Sequence, residues 1–130
     1  MKKIHVVAAV IKKEDKIFVT QRGYGEFKDK WEFPGGKIEK GEKKEDALLR
    51  EIREELDASI AIDCFLSHIS YTYPTFQLEM DVYLAHLLSP HLELLEHENA
   101  LWLEAKKLKT LDWLEADKSL IDILEKKIKN

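Results

Sequence analysis

The run GKIEKGEKKEDALLREIREEL, from Gly36 to Leu56, decides the reading of this chain. Between Lys44 and Leu56 the apolar residues Leu48, Leu49, Ile52 and Leu56 recur on one arc at about 100° per residue. That spacing predicts an amphipathic helix packed on a core through this face. Glu51, Glu54 and Glu55 stand at i, i+3 and i+4, so their carboxylates share one side of the same helix. Like charges so spaced repel, by about 0.2–0.5 kcal/mol per pair on an isolated helix, and stability alone gives no reason to cluster them. A hard divalent cation does, because magnesium takes carboxylate oxygens and keeps its other positions for water and phosphate. An acidic helix face by itself is ordinarily just solvated. The frame around these three acids is what sets them apart.

Ahead of the helix, Pro34-Gly35-Gly36 allows a sharp turn and leaves a main-chain carbonyl free of side-chain bulk, open to a ligand. Glu42 falls six residues after Gly36, and Arg50-Glu51 eight residues after Glu42. The whole is G-x5-E-x7-R-E-U-x-E-E with Ile52 as the aliphatic U, a far more specific signal than any of its parts.

Working outward, His5 to Ile11 is almost continuously apolar and rich in Val and Ile, which predicts a strand buried on both faces. The polar turn Lys12–Asp15 leads to a second strand over Lys16–Gln21. Gly23–Lys30 reads as an exposed loop, and Trp31–Phe33 as a short strand stopped by Pro34-Gly35-Gly36. Beyond the acidic helix come strands over Ile60–Tyr73 and Phe76–Leu88, a loop through Asn99, a short strand at Leu101–Leu103 and a helical turn near Lys106–Leu108. A last helix is expected to start with Asp117 as N-cap and to bury Leu120, Ile121, Leu124 and Ile128. The expected fold is α+β, a mixed β-sheet sandwiched between α-helices, with residues 1–130 forming one domain.

Of the 130 residues 45% are hydrophobic, enough for a buried core, and 35% are charged, above the usual roughly 25%. A net charge of −4 argues against a nucleic-acid polymer as partner, since phosphate backbones are held by basic stripes. It leaves room for a mononucleotide whose charge a cation meets locally. A single cysteine, Cys64, disfavours a disulfide-stapled secreted domain and reads as a small apolar strand residue. No window approaches the ~20 apolar residues that span a bilayer, so a cytoplasmic protein with no membrane partner is expected. Monomer and homodimer both remain open.

The Gly36–Leu56 motif resembles the Nudix box, the loop–helix–loop shared by Nudix hydrolases. The strands of residues 4–22, Trp31–Gly36, Glu96-His97 followed by Trp102, and Ala116-Asp117 ahead of Leu120-Ile121 are similar to the MutT and CTP pyrophosphohydrolase branch. The resemblance implies magnesium-dependent hydrolysis of a nucleoside triphosphate to monophosphate and pyrophosphate, with Mn2+ as a substitute. It points to nucleotide-pool sanitising on 8-oxo-dGTP, CTP or a modified dCTP. Another Nudix substrate such as ADP-ribose, or a nucleotide-sensing module without turnover, is the alternative. Transferred by position, Glu54 and Glu55 become the principal metal ligands, Glu51 a further ligand or the group that activates water, and the Gly35 carbonyl the completion of the metal shell. Arg50 would orient the glutamates, Glu96 would join the metal site or act in catalysis, Arg22 would hold a phosphate, and Asp117 would read the base edge.

Two positions depart from the family pattern. Asp57 stands where the box normally ends on Gly, and a left-handed residue there is costlier as Asp. Lys43 replaces the Ser or Thr that would cap the helix. Trp31, Tyr71, Tyr73 and Phe76 include a possible base-stacking ring but read first as core. Trp102 reads as core, His97 first as an exposed loop residue, although beside Glu96 it could polarise a site, and the Lys-rich tail Lys126–Lys129 as a solvated helix end.

Overall fold

The computed structural model describes residues 1–128 and runs β1 (Lys2–Lys13), β2 (Lys16–Arg22), β3 (Trp31–Glu32), β4 (Gly35–Lys37), α1 (Lys44–Leu56), β5 (Ile60–Thr72), β6 (Phe76–Leu87), β7 (His97–Glu104) and α2 (Glu115–Lys127), with a 3-10 helix over Ala105–Thr110 before α2. The seven strands make one mixed sheet in the order β3-β2-β1-β6-β5, with β4 paired to β1 and β7 to β2. Strand β1 lies parallel to β6 and antiparallel to β2 and β4.

Val7 to Ile11 is buried on both faces because helices cover both sides of β1. Val7, Ala9 and Ile11 pack with Ala47, Leu48, Ile52 and Leu56 of α1. Ala8 and Val10 point the other way, into a second core that holds Leu108 and the α2 stripe Leu120, Ile121, Leu124 and Ile128. Burial of each such large aliphatic side chain stabilises by about 1.5–3 kcal/mol. The two cores clamp the sheet between α1 and α2, the expected layered arrangement.

Several local expectations need correction. Leu49 is 38% exposed, and Ala47 takes the inward position beside Leu48. Asp117 is not the N-cap of α2: the helix starts two residues earlier, with Leu114 at the cap. The Ala116 N–H, left without an intrahelical acceptor, donates instead to the Tyr73 hydroxyl at 3.1 Å, so no capping side chain is needed. Pro34-Gly35-Gly36 does not simply stop a strand, since Gly35 and Gly36 pair with Ala8 and Val7 as part of β4. Cys64 lies on β5 but is exposed. Lys129 of the Lys-rich tail falls outside the described residues.

The two departures of the motif have clear structural outcomes. Asp57 ends α1 in the left-handed conformation, φ 49° and ψ 38°, with its N–H donating to the Arg53 carbonyl. Lys43 sits at the N-cap without a side-chain cap bond.

Candidate active site

Arg50 ties the acidic helix to the turn before it. Its guanidinium donates to Glu42 through Nε and Nη2, both at 2.9 Å, to Glu51 Oε1 at 2.9 Å, to Glu54 Oε2 at 3.2 Å and to the Lys37 carbonyl at 3.0 Å. The planar fork suits this set of acceptors, and it holds one oxygen each of Glu51 and Glu54 while leaving the second free. Glu42 in turn accepts from the Glu39 N–H at 3.0 Å, and the Arg50 guanidinium holds its carboxyl below the usual range. The spacing of Glu42 from Arg50 in the motif is thus the span of one bidentate ion pair.

Gly36 makes room for the acidic helix at this point. A Cβ there would overlap the Glu51 carboxylate, with Oε1 only 2.8 Å away. At Gly35 a Cβ would run into the Val7 carbonyl and lie 2.7 Å from Ala8 Cα, so the glycine lets β4 press against β1. Together the two glycines bring the Gly35 main chain beside the helix acids.

Glu55 points inward rather than to solvent and is 7% exposed. Burial pushes its carboxyl up to about 9, with Glu32, Glu51 and Glu96 adding like charge. Glu96 arrives on the segment before β7. That segment lies along the last turn of α1, where the Glu93 N–H donates to the Leu56 carbonyl at 2.8 Å and the Leu95 N–H to the Glu55 carbonyl at 3.0 Å. Carbonyls that the helix end would leave unpaired thereby anchor the loop acid at the site. Glu55, Glu96, Gly35, Arg22 and Glu32 line one cleft of about 210 Å³. Glu51 and Glu54 are not among the residues that line it; Glu54 is held by Arg50, with its side chain 55% exposed.

A second cleft of about 110 Å³ shares Arg22, Glu32 and Gly35 as a common wall and is otherwise mostly apolar. Phe27, Tyr73 and Phe76 line it, with Tyr73 stacked on Phe76 at 4.9 Å and tilted against Phe27 at 5.4 Å. Asp117 lies at its wall, 4% exposed. Burial and the nearby Glu32 raise the Asp117 pKa well above the ordinary value, opposed by Arg22 and by a hydrogen bond from the Phe33 main chain. Burial thus favours the protonated form of Asp117, in which the acid can donate as well as accept.

Sequence reasoning missed Glu32 at this site and read His97, which could polarise it, first as an exposed loop residue. Glu32 joins the clefts: its Oε2 accepts from Arg22 Nε at 3.1 Å. His97 is not an exposed loop residue but the first residue of β7, with its side chain 6% exposed and facing Glu32 and Glu55. Neither carries a local signal of burial, because a polar residue at a strand end reads as exposed unless the tertiary fold covers it. Trp31 and Tyr73 are buried, as read, and Tyr73 also serves the apolar cleft. Trp102 packs against the α1-side core.

Among the described residues no three His, Cys, Asp or Glu side chains already converge on one metal-sized point. The donor chemistry nevertheless fits a hard cation. Gly35, Glu51, Glu55 and Glu96 offer oxygens only, and Glu55 is a buried acid packed among other acids, an arrangement that a divalent cation would relieve. Among the described residues no helix is long and apolar enough to cross a membrane.

Comparison with known proteins agrees with this geometry. A model of the NUDIX domain matches residues 1–127. The 8-oxo-dGTP diphosphatase of Buchnera aphidicola subsp. Acyrthosiphon pisum (strain APS) is 32% identical over 111 residues, covering 85% of this chain and 88% of that protein. The CTP pyrophosphohydrolase of Escherichia coli (strain K12) is 34% identical over 110 residues, covering 78% of this chain and 76% of that one. The solution structure of the E. coli ORF135 protein superposes with a TM-score of 0.84 at 28% identity, covering 97% of this chain and 91% of that one. The MutT protein of Methanosarcina mazei Go1 shares the fold, with a TM-score of 0.86 at 18% identity, covering 99% and 97% of the two chains.

Proposed function

The chain belongs to the NUDIX family and is a hydrolase of phosphoric anhydride bonds, and from that premise we propose that it cleaves a nucleoside triphosphate, with magnesium, to the monophosphate and pyrophosphate. One observation carries the reading: an acid-lined cleft and an aromatic cleft share Arg22, Glu32 and Gly35 as their wall. A nucleotide has the matching form, a charged phosphate chain joined to a flat base.

In this account Glu51, Glu54, Glu55 and the Gly35 carbonyl hold the magnesium, and Mn2+ can stand in for it. The bound ion supplies Lewis-acid neutralisation of phosphate charge and a water of lowered pKa. Arg50 keeps Glu51 and Glu54 oriented by holding one oxygen of each. Glu51 or Glu96 takes the proton from the attacking water. Arg22, held by Glu32, grips a phosphate of the chain. The base enters the aromatic cleft against Tyr73 and Phe76, and Asp117 at its wall reads its edge. The names of the relatives favour 8-oxo-dGTP, CTP or a modified dCTP as substrate, and removal of such nucleotides from the pool as the role.

The test is pyrophosphate release from CTP, dCTP, 5-methyl-dCTP, dGTP, 8-oxo-dGTP and ADP-ribose as a control, with magnesium and with EDTA. Magnesium-dependent release concentrated on one base supports the reading. Orthophosphate with a nucleoside diphosphate would overturn the bond assignment. Turnover of ADP-ribose alone, or binding without turnover, would overturn the substrate class.

A further inference from the structure

His97 is the buried polar group of this region that the account so far does not use. Its Nε2 lies 3.5 Å from Glu32 Oε2 and 3.6 Å from Glu55 Oε1. Both separations are longer than a formed N–H···O bond of about 2.9 Å, so the ring nitrogen stands between the two carboxyl groups without being hydrogen-bonded to either. Its Nδ1 is buried and has no hydrogen-bond partner among the described residues. A proton on Nδ1 would be a buried donor without an acceptor, whereas a proton on Nε2 faces two carboxyl groups. The Nε2–H form is therefore the one the surroundings favour.

A strand irregularity puts the imidazole there. Gln21 of β2 pairs with Asn99 of β7, but the next pair is Arg22 with His97, leaving Glu98 as the extra residue of a bulge. Without the bulge Glu98 would face Arg22, and a further acid would enter the site beside Glu32. Bulges near active sites commonly re-aim a side chain in this way.

We propose that His97 is a positioning residue of this site, whose Nε2–H, placed between Glu32 and Glu55, sets the separation of the two carboxyl groups and so couples the phosphate-gripping Arg22 to the cation-holding Glu55. The chain of contacts is continuous: Arg22 Nε to Glu32 Oε2 at 3.1 Å, Glu32 to His97, and His97 to Glu55. The proposal rests on the function proposed above for the roles of Arg22 and Glu55. Outer partners of metal ligands are worth roughly 10–100-fold in metal affinity, which sets the size of the effect.

The experiment is Mn2+ binding by electron paramagnetic resonance to the full chain and to His97→Gln, His97→Asn and His97→Phe, each checked for folding by thermal unfolding. The glutamine amide nitrogen reaches the place of Nε2, the asparagine amide reaches only that of Nδ1, and phenylalanine keeps the volume without a donor. Mn2+ affinity should fall roughly 10–100-fold in the Asn and Phe variants and be largely restored in the Gln variant, with kcat following the same order on the substrate nucleotide. If Asn is unfolded, the contrast of Gln with Phe decides alone. Equal affinity in Gln and Phe, whether unchanged or equally reduced, would overturn the proposal, because a ring that only fills space does not depend on which atom donates. The same holds if the native chain takes up no Mn2+. Pyrophosphate release with no difference among the variants would remove His97 from the account and leave the function standing. The Gln–Phe split without nucleotide turnover would retain His97 at a cation site and remove the function.

Discussion

The carboxylate of Glu51 fills the space in which Gly36 would carry a side chain, and the same Glu51 is held by Arg50 Nη1 at 2.9 Å. The obstacle at Gly36 is the far end of a flexible side chain, whereas at Gly35 it is main chain of β1. Gly36→Ala should therefore fold near normally while displacing Glu51 and losing most turnover. Gly35→Ala should break the β1–β4 pairing and cost about 2 kcal/mol or more in unfolding free energy. Denaturant unfolding and kcat measured on both variants check the contrast.

Glu55 is a buried acid among acids, and the account gives it a cation. Adding magnesium to the native chain should raise the Tm by several degrees, since a ligand at a hundred times its Kd contributes about 2.7 kcal/mol. Glu55→Gln replaces a carboxyl whose ionisation is costly without the ion by a neutral amide of the same shape. In EDTA this variant should be at least as stable as the native chain, and magnesium should no longer raise its Tm. Thermal unfolding of both proteins with and without the ion is the measurement.

Asp57 bears the cost of a left-handed conformation that glycine adopts freely. Its carboxylate also meets His91 Nε2 at 2.9 Å, but both side chains are more than half exposed and such a pair contributes little. Asp57→Gly should stabilise the chain by roughly 0.5–1 kcal/mol with kcat unchanged. Chemical denaturation reads the first part and a turnover assay the second.

Away from the site, His68 lies between two acids, with Nδ1 2.8 Å from Asp81 and Nε2 2.8 Å from Glu79. The bond to Asp81, then that to Glu79, raises the His68 pKa above its ordinary 6.5. Its contribution to stability is therefore complete below that value and lost as pH rises through the raised one. Bonds from Ser70, His68 and Gln77 lower Glu79 from 4.5 to about 2, so its contribution is complete above 4.5 and lost as pH falls toward about 2. Stability from this cluster should peak between those two ordinary values. His68→Gln should flatten the alkaline side of a plot of Tm against pH, which is the check.

How far the sequence could be read depended on whether the signal was local. Helix α1 begins and ends where the apolar period and the motif place it, Lys44 to Leu56, because both are short-range properties. The two-sided burial of β1 was legible in its apolar run from Val6 to Ile11, while His5 at the start of the expected stretch is exposed. Strand β4 was not, since glycines have no side chains with which to alternate, and its pairing with Ala8 and Val7 is a long-range event. Asp117 carried a valid local capping signal, but the Ala116 N–H is met by the Tyr73 hydroxyl, which comes from the turn between β5 and β6. Glu32 was invisible as a site residue, and His97 was legible only as a neighbour of Glu96, because its burial depends on the bulge opposite Arg22 and the loop anchored on α1. Arg50 was expected to orient the glutamates, and its bonds to Glu42, Glu51 and Glu54 support that role.

The most direct test of the central claim is pyrophosphate release at saturating magnesium by the native chain and by Glu54→Gln, on whichever nucleotide of the panel turns over fastest. Glu54 is more than half exposed and held by Arg50, so its amide should leave the Tm nearly unchanged. The account expects kcat to fall by roughly a hundredfold or more, the size of loss seen when one group that stabilises transition-state charge is removed. A Glu54→Gln variant that folds and turns over at the native rate would contradict the assignment of the helix acids to the chemistry.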